Sequence, residues 1–134
     1  MSKALVEGDL VLAIDFDGTI STEPDMDRSK PLVLQPHCVR VLQRMSEDGM
    51  RLILWTCRSG PALDEAIEFL NENDILHVFE TINDQLHEVN EKYAPHVGRK
   101  IGADVYYDDK SAMTTINWLE FEKFIYGEEL AWQE

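Results

Sequence analysis

Basic residues are scarce in this chain. Twelve lysines and arginines stand against 26 aspartates and glutamates, a formal net charge of −14. That sign disfavours nucleic acid as a partner, because phosphate backbones are held by Lys and Arg. An anionic substrate would need local positive charge to overcome the overall field. Cysteine is nearly absent too: Cys38 and Cys57 lie on predicted apolar elements, which excludes a disulfide framework and reads as two buried, reduced thiols. His37, His77, His87 and His96 lack the spacing of a zinc site. No apolar run approaches the ~20 residues of a membrane span. The stretch from Met1 to Asp9 is polar and lacks the apolar core of a secretory signal. No repeat or low-complexity tract appears. The expectation is a cytoplasmic protein with no membrane partner, its excess acid spread mostly over a solvated surface.

What is present is a core. Of the 134 residues, 44% are hydrophobic, enough for one domain over 1–134 and too many for disorder. Four runs rich in β-branched and aromatic residues read as strands, at roughly 10–15, 51–56, 75–81 and 103–107. Helical spacing lies between them. Cys38, Val41, Leu42 and Met45 recur at i, i+3, i+4, i+7, and so do Leu63, Ala66, Ile67 and Leu70. Pro61 suits the first turn of that second helix. Leu86, Val89 and Tyr93 predict a third helix, and residues 113–126 a fourth. Strand–helix alternation predicts an α/β fold: a Rossmann-like parallel sheet with helices on both faces, joined by right-handed crossovers. Residues 19–35, "TISTEPDMDRSKPLVLQ", break the pattern and read as a long loop or short hairpin, the kind of connection that usually carries function.

The stretch "LVLAIDFDGTI" raises the functional question. Asp15 stands where a buried strand should continue, and Asp17 should point to the same side. Two like charges so close are unfavourable unless something binds them. Ligands in open parallel sheets bind beyond the carboxyl ends of the strands. The second strand ends in Thr56, Arg58 and Ser59, and the fourth in Asp108 and Asp109, with Lys100 just upstream. Four carboxylates at one edge call for a hard cation with oxygen ligands, and Mg2+ fits best. A carboxylate held by a cation can attack an electrophilic phosphorus. Asp15 is placed for that role. Asp17 can protonate the leaving oxygen and later deprotonate water. Gly18 permits a close backbone approach. Thr56 offers a hydroxyl and adjacent amides to phosphoryl oxygens, and Lys100 neutralises charge between nucleophile and phosphate.

The segment "DFDGTI" resembles the first motif, Asp-x-Asp-Gly-Thr, of the haloacid dehalogenase superfamily of phosphohydrolases. Thr56 matches the second motif, Lys100 the third, and the Asp108–Asp109 pair one form of the fourth, in the right order. The stretch "RLILWTCRSGPALDEAIEFL" is similar to a small capless branch found in bacteria and their phages. The resemblance implies a phosphatase working through an aspartyl-phosphate on Asp15, with Asp17 as acid and then base. It implies Mg2+ held by Asp15, by the backbone carbonyl of Asp17, and by Asp108 or Asp109. Many relatives carry a cap domain, for which neither 19–35 nor 71–99 has room. The site is then expected to be open in the single chain unless a second copy of the chain or a bulky substrate covers it, with the 19–35 segment a flap at most.

Other residues at this edge have plainer readings. Arg58 is a candidate for binding a substrate phosphate or carboxylate, Ser59 for helix capping, and Asn83 and Asp84 for capping the next helix. Trp55 and Trp118 are expected in the core. The expected partner is a small phosphorylated substrate, with a phosphorylated macromolecule as the other option. Two further function classes stand beside the phosphatase. A phosphoryl-accepting signalling domain also unites acids, a Thr and a Lys on a parallel sheet, but there the Lys comes last, whereas Lys100 precedes the final acids. A degenerate binding domain would be expected to have lost some of these motif residues.

Overall fold

In a computed structural model, which describes residues 9–127, the chain alternates strands and helices: β1 (Val11–Ile14), α1 (Cys38–Glu47), β2 (Arg51–Leu54), α2 (Gly60–Glu72), β3 (Phe79–Ile82), α3 (His87–Tyr93), β4 (Val105–Tyr107) and α4 (Trp118–Tyr126). The four strands form one parallel sheet in the order β3-β2-β1-β4. All four residues of β1 are buried, as a central parallel strand requires when both of its faces are covered. The period-two alternation divides the core accordingly. Leu12, Ile14, Leu52 and Leu54 face α1, α2 and α4, while Val11 and Ile53 face Leu86 and Val89 of the α3 region. Helices therefore cover both faces, three on one and one on the other. No inserted second domain occurs among the described residues.

The expected elements are present, with three differences. The apolar run 75–81 does not start as a strand. Ile75 closes α2, its amide donating to Leu70 O at 3.0 Å, and Leu76–Val78 form a 3-10 turn before β3 begins at Phe79. A short apolar run reads alike as a strand or as a buried turn. The fourth helix begins at Trp118, not near 113. Asn117 caps it by accepting from Glu120 N, while Met113 is fully exposed with φ 62°. Cys38 is buried as expected, but Cys57 is exposed, because its loop has already left the sheet.

Two contacts fasten α4 to the rest. The Tyr107 ring stacks on Phe121 with centroids 3.8 Å apart and meets Trp118 edge-on at 5.1 Å. On the outer side Glu122 accepts hydrogen bonds from Arg40 and Arg44 of α1 at 2.9 Å. Arg40 is the main cause that holds the Glu122 carboxyl down at about 2. Trp118 lies in the core as expected, and Trp55 is half-buried on the α3 face.

Candidate active site

The strand order determines where the acids meet. From β1 the chain proceeds to β2 and β3 on one side, then returns to place β4 on the other. Loops leaving β1 and β4 at their carboxyl ends diverge and open a crevice between them. Asp15 follows β1, and Asp108 and Asp109 follow β4. One carboxylate oxygen from each of these three lies within 4.8 Å of the others. Burial, and then the nearby Asp108 carboxylate, push the Asp15 carboxyl up to about 8. Asp109 is also raised, burial again coming first.

The Asp-Gly-Thr turn holds this cluster together. The Phe16 carbonyl accepts from the amides of Thr19, Ile20 and Ser21, curling the chain tightly after β1. The fully buried Thr19 hydroxyl donates to Asp15 Oδ2 at 3.0 Å and accepts the Asp109 amide at 3.0 Å. Trp118 Nε1 donates to the Thr19 carbonyl at 2.9 Å. Gly18 has φ 78°, and a Cβ there would sit 2.1 Å from Asp109 Oδ2. Only glycine allows the β1 and β4 loops to approach so closely. Thr19 is the residue the sequence reading leaves without a role, although its place four positions after Asp15 in a tight turn was the available signal.

The expected edge residues divide between the crevice and its surroundings. Asp17 does not join the carboxylate cluster through its side chain. Arg58, only 2% exposed, donates to both of its oxygens, with Nε–Oδ2 at 2.9 Å and Nη2–Oδ1 at 2.8 Å. Its Nη1 donates to Ala62 O at 2.8 Å, and the guanidinium carbon lies 5.0 Å from the Phe16 ring centroid. The guanidinium expected to reach a substrate is thus committed to Asp17, because the loop after β2 folds inward over Phe16. Thr56, expected to offer its hydroxyl and adjacent amides to phosphoryl oxygens, donates its own amide to Asn83 Oδ1 at 2.7 Å, and its hydroxyl accepts the Arg58 amide at 3.1 Å. Cys57, not Thr56, lines the crevice. Asn83 ties the β2 and β3 loops together and does not cap α3, whose N-cap position is Leu86. Asp84 accepts the Gln85 amide at 2.8 Å. Ser59 occupies the α2 N-cap position without a side-chain cap bond.

Lys100 is not brought to the crevice. Its ammonium lies 5.2 Å from the Tyr106 ring centroid, and the cation lining the crevice is Lys110, directly after the Asp pair. The crevice encloses about 250 Å³, with Pro24, Asp25 and Met26 of the 19–35 segment on its wall. That segment is a loop on a hairpin-like base, where Ser21 pairs antiparallel with Leu34. Arg28 anchors it to Glu65 of α2 with Nε–Oε2 at 3.1 Å. Leu32 and Leu34 pack against the core, while Val33, between them in the "PLVLQP" stretch, is exposed.

These residues suit a divalent cation. Three carboxylates converge, and burial first, then the nearby Asp108 carboxylate, raises the pKa values of Asp15 and Asp109. Asp109 Oδ1 is buried without a hydrogen-bond partner among the described residues, an arrangement that is costly unless a ligand satisfies it. An all-oxygen donor set beside an open crevice is the coordination Mg2+ prefers.

Fold and site together describe a parallel α/β protein with a carboxylate cluster at its topological switch point. The chain is similar to a solved structure of a protein from Bacteroides thetaiotaomicron described as a conserved protein: 28% identical, TM-score 0.73, covering 91% of this chain and 93% of that one. No known family model and no curated protein matches the chain. No described helix is long and apolar enough to cross a membrane.

Proposed function

We propose that this chain is a magnesium-dependent phosphatase of the haloacid dehalogenase kind, hydrolysing a phosphate monoester through an aspartyl-phosphate on Asp15. One observation carries the reading: Asp15, Asp108 and Asp109 converge at the switch point with one Asp109 oxygen buried and without a hydrogen-bond partner among the described residues. Bound there by Asp15, Asp108 and Asp109, Mg2+ would neutralise the carboxylates and polarise the phosphoryl group.

The chain's own residues supply the rest. Thr19 orients Asp15 by its hydrogen bond to Oδ2, leaving Oδ1 to attack phosphorus. Asp17 gives a proton to the leaving oxygen and later takes one from the attacking water. Both Asp17 oxygens are engaged by Arg58, so the pair must loosen during each transfer. Lys110, on the crevice wall, provides the positive charge first expected of Lys100.

The test is hydrolysis of a phosphate-ester panel by the purified protein. Turnover is expected with Mg2+ and none in chelator. Asp15→Asn should abolish turnover and the trapping of beryllium fluoride. Activity surviving exhaustive chelation, or retained by that variant, would reject the reading. Stoichiometric phosphorylation without turnover would point to a phosphoryl-accepting domain instead.

A further inference from the structure

Accepting the phosphatase reading, the charges around the crevice restrict what the substrate can carry besides its phosphoryl group. Three carboxylates, Asp15, Asp108 and Asp109, would be balanced by one bound divalent cation and the ammonium of Lys110, which would leave no surplus positive charge. The other nearby cations are committed: Arg58 to Asp17, Arg28 to Glu65, and Lys30 to Glu23 at 3.0 Å. The loop's remaining carboxylates are also engaged, Glu23 by Lys30 and Asp27 by the Ser29 amide and hydroxyl. Asp25 differs. It is exposed on the crevice wall, and its side chain makes no hydrogen bond or ion pair with a described residue, although Lys30, paired to Glu23, also feels its charge. Pro24 and Met26, beside it, present apolar surface. Asp25 lines the same small, open crevice as Asp15, Asp108 and Asp109, so a leaving group that fills it lies close to Asp25.

We infer that the site selects small phosphate monoesters whose leaving group is uncharged or cationic, and that Asp25 is the residue that turns away leaving groups bearing a second anion. Like charges a few ångströms apart near a wet surface repel enough to change affinity by about three- to tenfold, less as salt rises.

Three esters of similar size separate the outcomes: phosphoethanolamine, glycerol 1-phosphate and 3-phosphoglycerate, whose leaving groups are cationic, neutral and anionic. At low ionic strength with saturating Mg2+, kcat/KM is expected to fall in that order, with glycerol 1-phosphate about three- to tenfold ahead of 3-phosphoglycerate, the gap narrowing in 0.5 M salt. Asp25→Asn should shrink the ratio between these two esters, and Asp25→Lys should reverse it. A wild-type preference for 3-phosphoglycerate, or a ratio unmoved in both variants, overturns the inference and leaves the phosphatase reading standing. Hydrolysis of none of the panel, these three included, overturns both.

Discussion

Asp15 is caught between burial and charge. Its place at the end of a fully buried strand desolvates the carboxylate, while Asp108 and Asp109 crowd it with like charge. Such a group stays ionised when a cation balances it, and an ionised Asp15 is what nucleophilic attack requires. Asp17 has the opposite surroundings, since a buried guanidinium holds both of its oxygens. On the proposed mechanism Asp17→Asn removes proton transfer but not the cation site, so turnover should fall by ~10²–10⁴-fold with the Mg2+-induced rise in Tm retained. A loss under tenfold would count against Asp17 as acid and base. Gly18 sets the spacing of the two loops. Gly18→Ala strains a φ of 78° and drives a methyl into Asp109; the expected loss of stability is about 2–3 kcal/mol, with Asp109 displaced. Denaturation with and without Mg2+ checks this: a variant as stable as the wild type and equally stabilised by Mg2+ would show that the loops do not pack this closely.

At the scale of elements, α4 reaches into the site through one bond. The Trp118 indole N–H satisfies the buried carbonyl of Thr19, whose hydroxyl in turn positions Asp15 and the Asp109 backbone. Trp118→Phe keeps an aromatic ring against Tyr107 but strands that carbonyl, which should cost about 1–3 kcal/mol of stability. The same change should reduce turnover, because Thr19 loses its anchor. Chemical denaturation reads the first effect and steady-state hydrolysis the second. If stability falls and turnover does not, α4 supports the core without ordering the site. The 19–35 segment couples in the other direction. Its base pairs at Ser21 and Leu34 and its apolar residues Leu32 and Leu34 pack on the core, so its Pro24–Met26 stretch is held on the crevice wall.

For the molecule as a whole, cation binding and pH are linked through Asp15. Its native carboxyl sits at about 8 against 3.8 ordinarily. Between those values the metal-free native state keeps a proton that the unfolded chain releases, so this group makes stability decline as pH rises from about 4 to 8. Mg2+ takes the proton's place, and its binding should release protons and strengthen with pH up to about 8. At a hundred times its dissociation constant the cation adds about 2.7 kcal/mol. Melting temperatures from pH 5 to 9, with Mg2+ and with chelator, should therefore diverge as pH rises, and a gap independent of pH would contradict the shared-carboxylate geometry. The acid side is a separate window. Glu122 and Glu88 are held at about 2 by their arginine partners, so their contribution is complete above about 4.5 and is lost on further acidification.

Read alone, the sequence determined the alternation of strands and helices, the single parallel sheet, and the acids at the carboxyl ends of β1 and β4. Those features follow from local periodicity and from residue types that tolerate few surroundings, such as Asp15 at the end of VLAI and a glycine in the turn after Asp17. Tertiary structure decided the pairings. That Arg58 closes on Asp17, that Lys110 and not Lys100 lines the crevice, that Asn83 takes the Thr56 amide and that Cys57 is exposed all depend on loops after different strands meeting across the sheet edge. No local pattern encodes such meetings, because a long side chain leaving a loop goes where burial and an opposite charge make its ordering favourable, and both are supplied by residues distant in the chain.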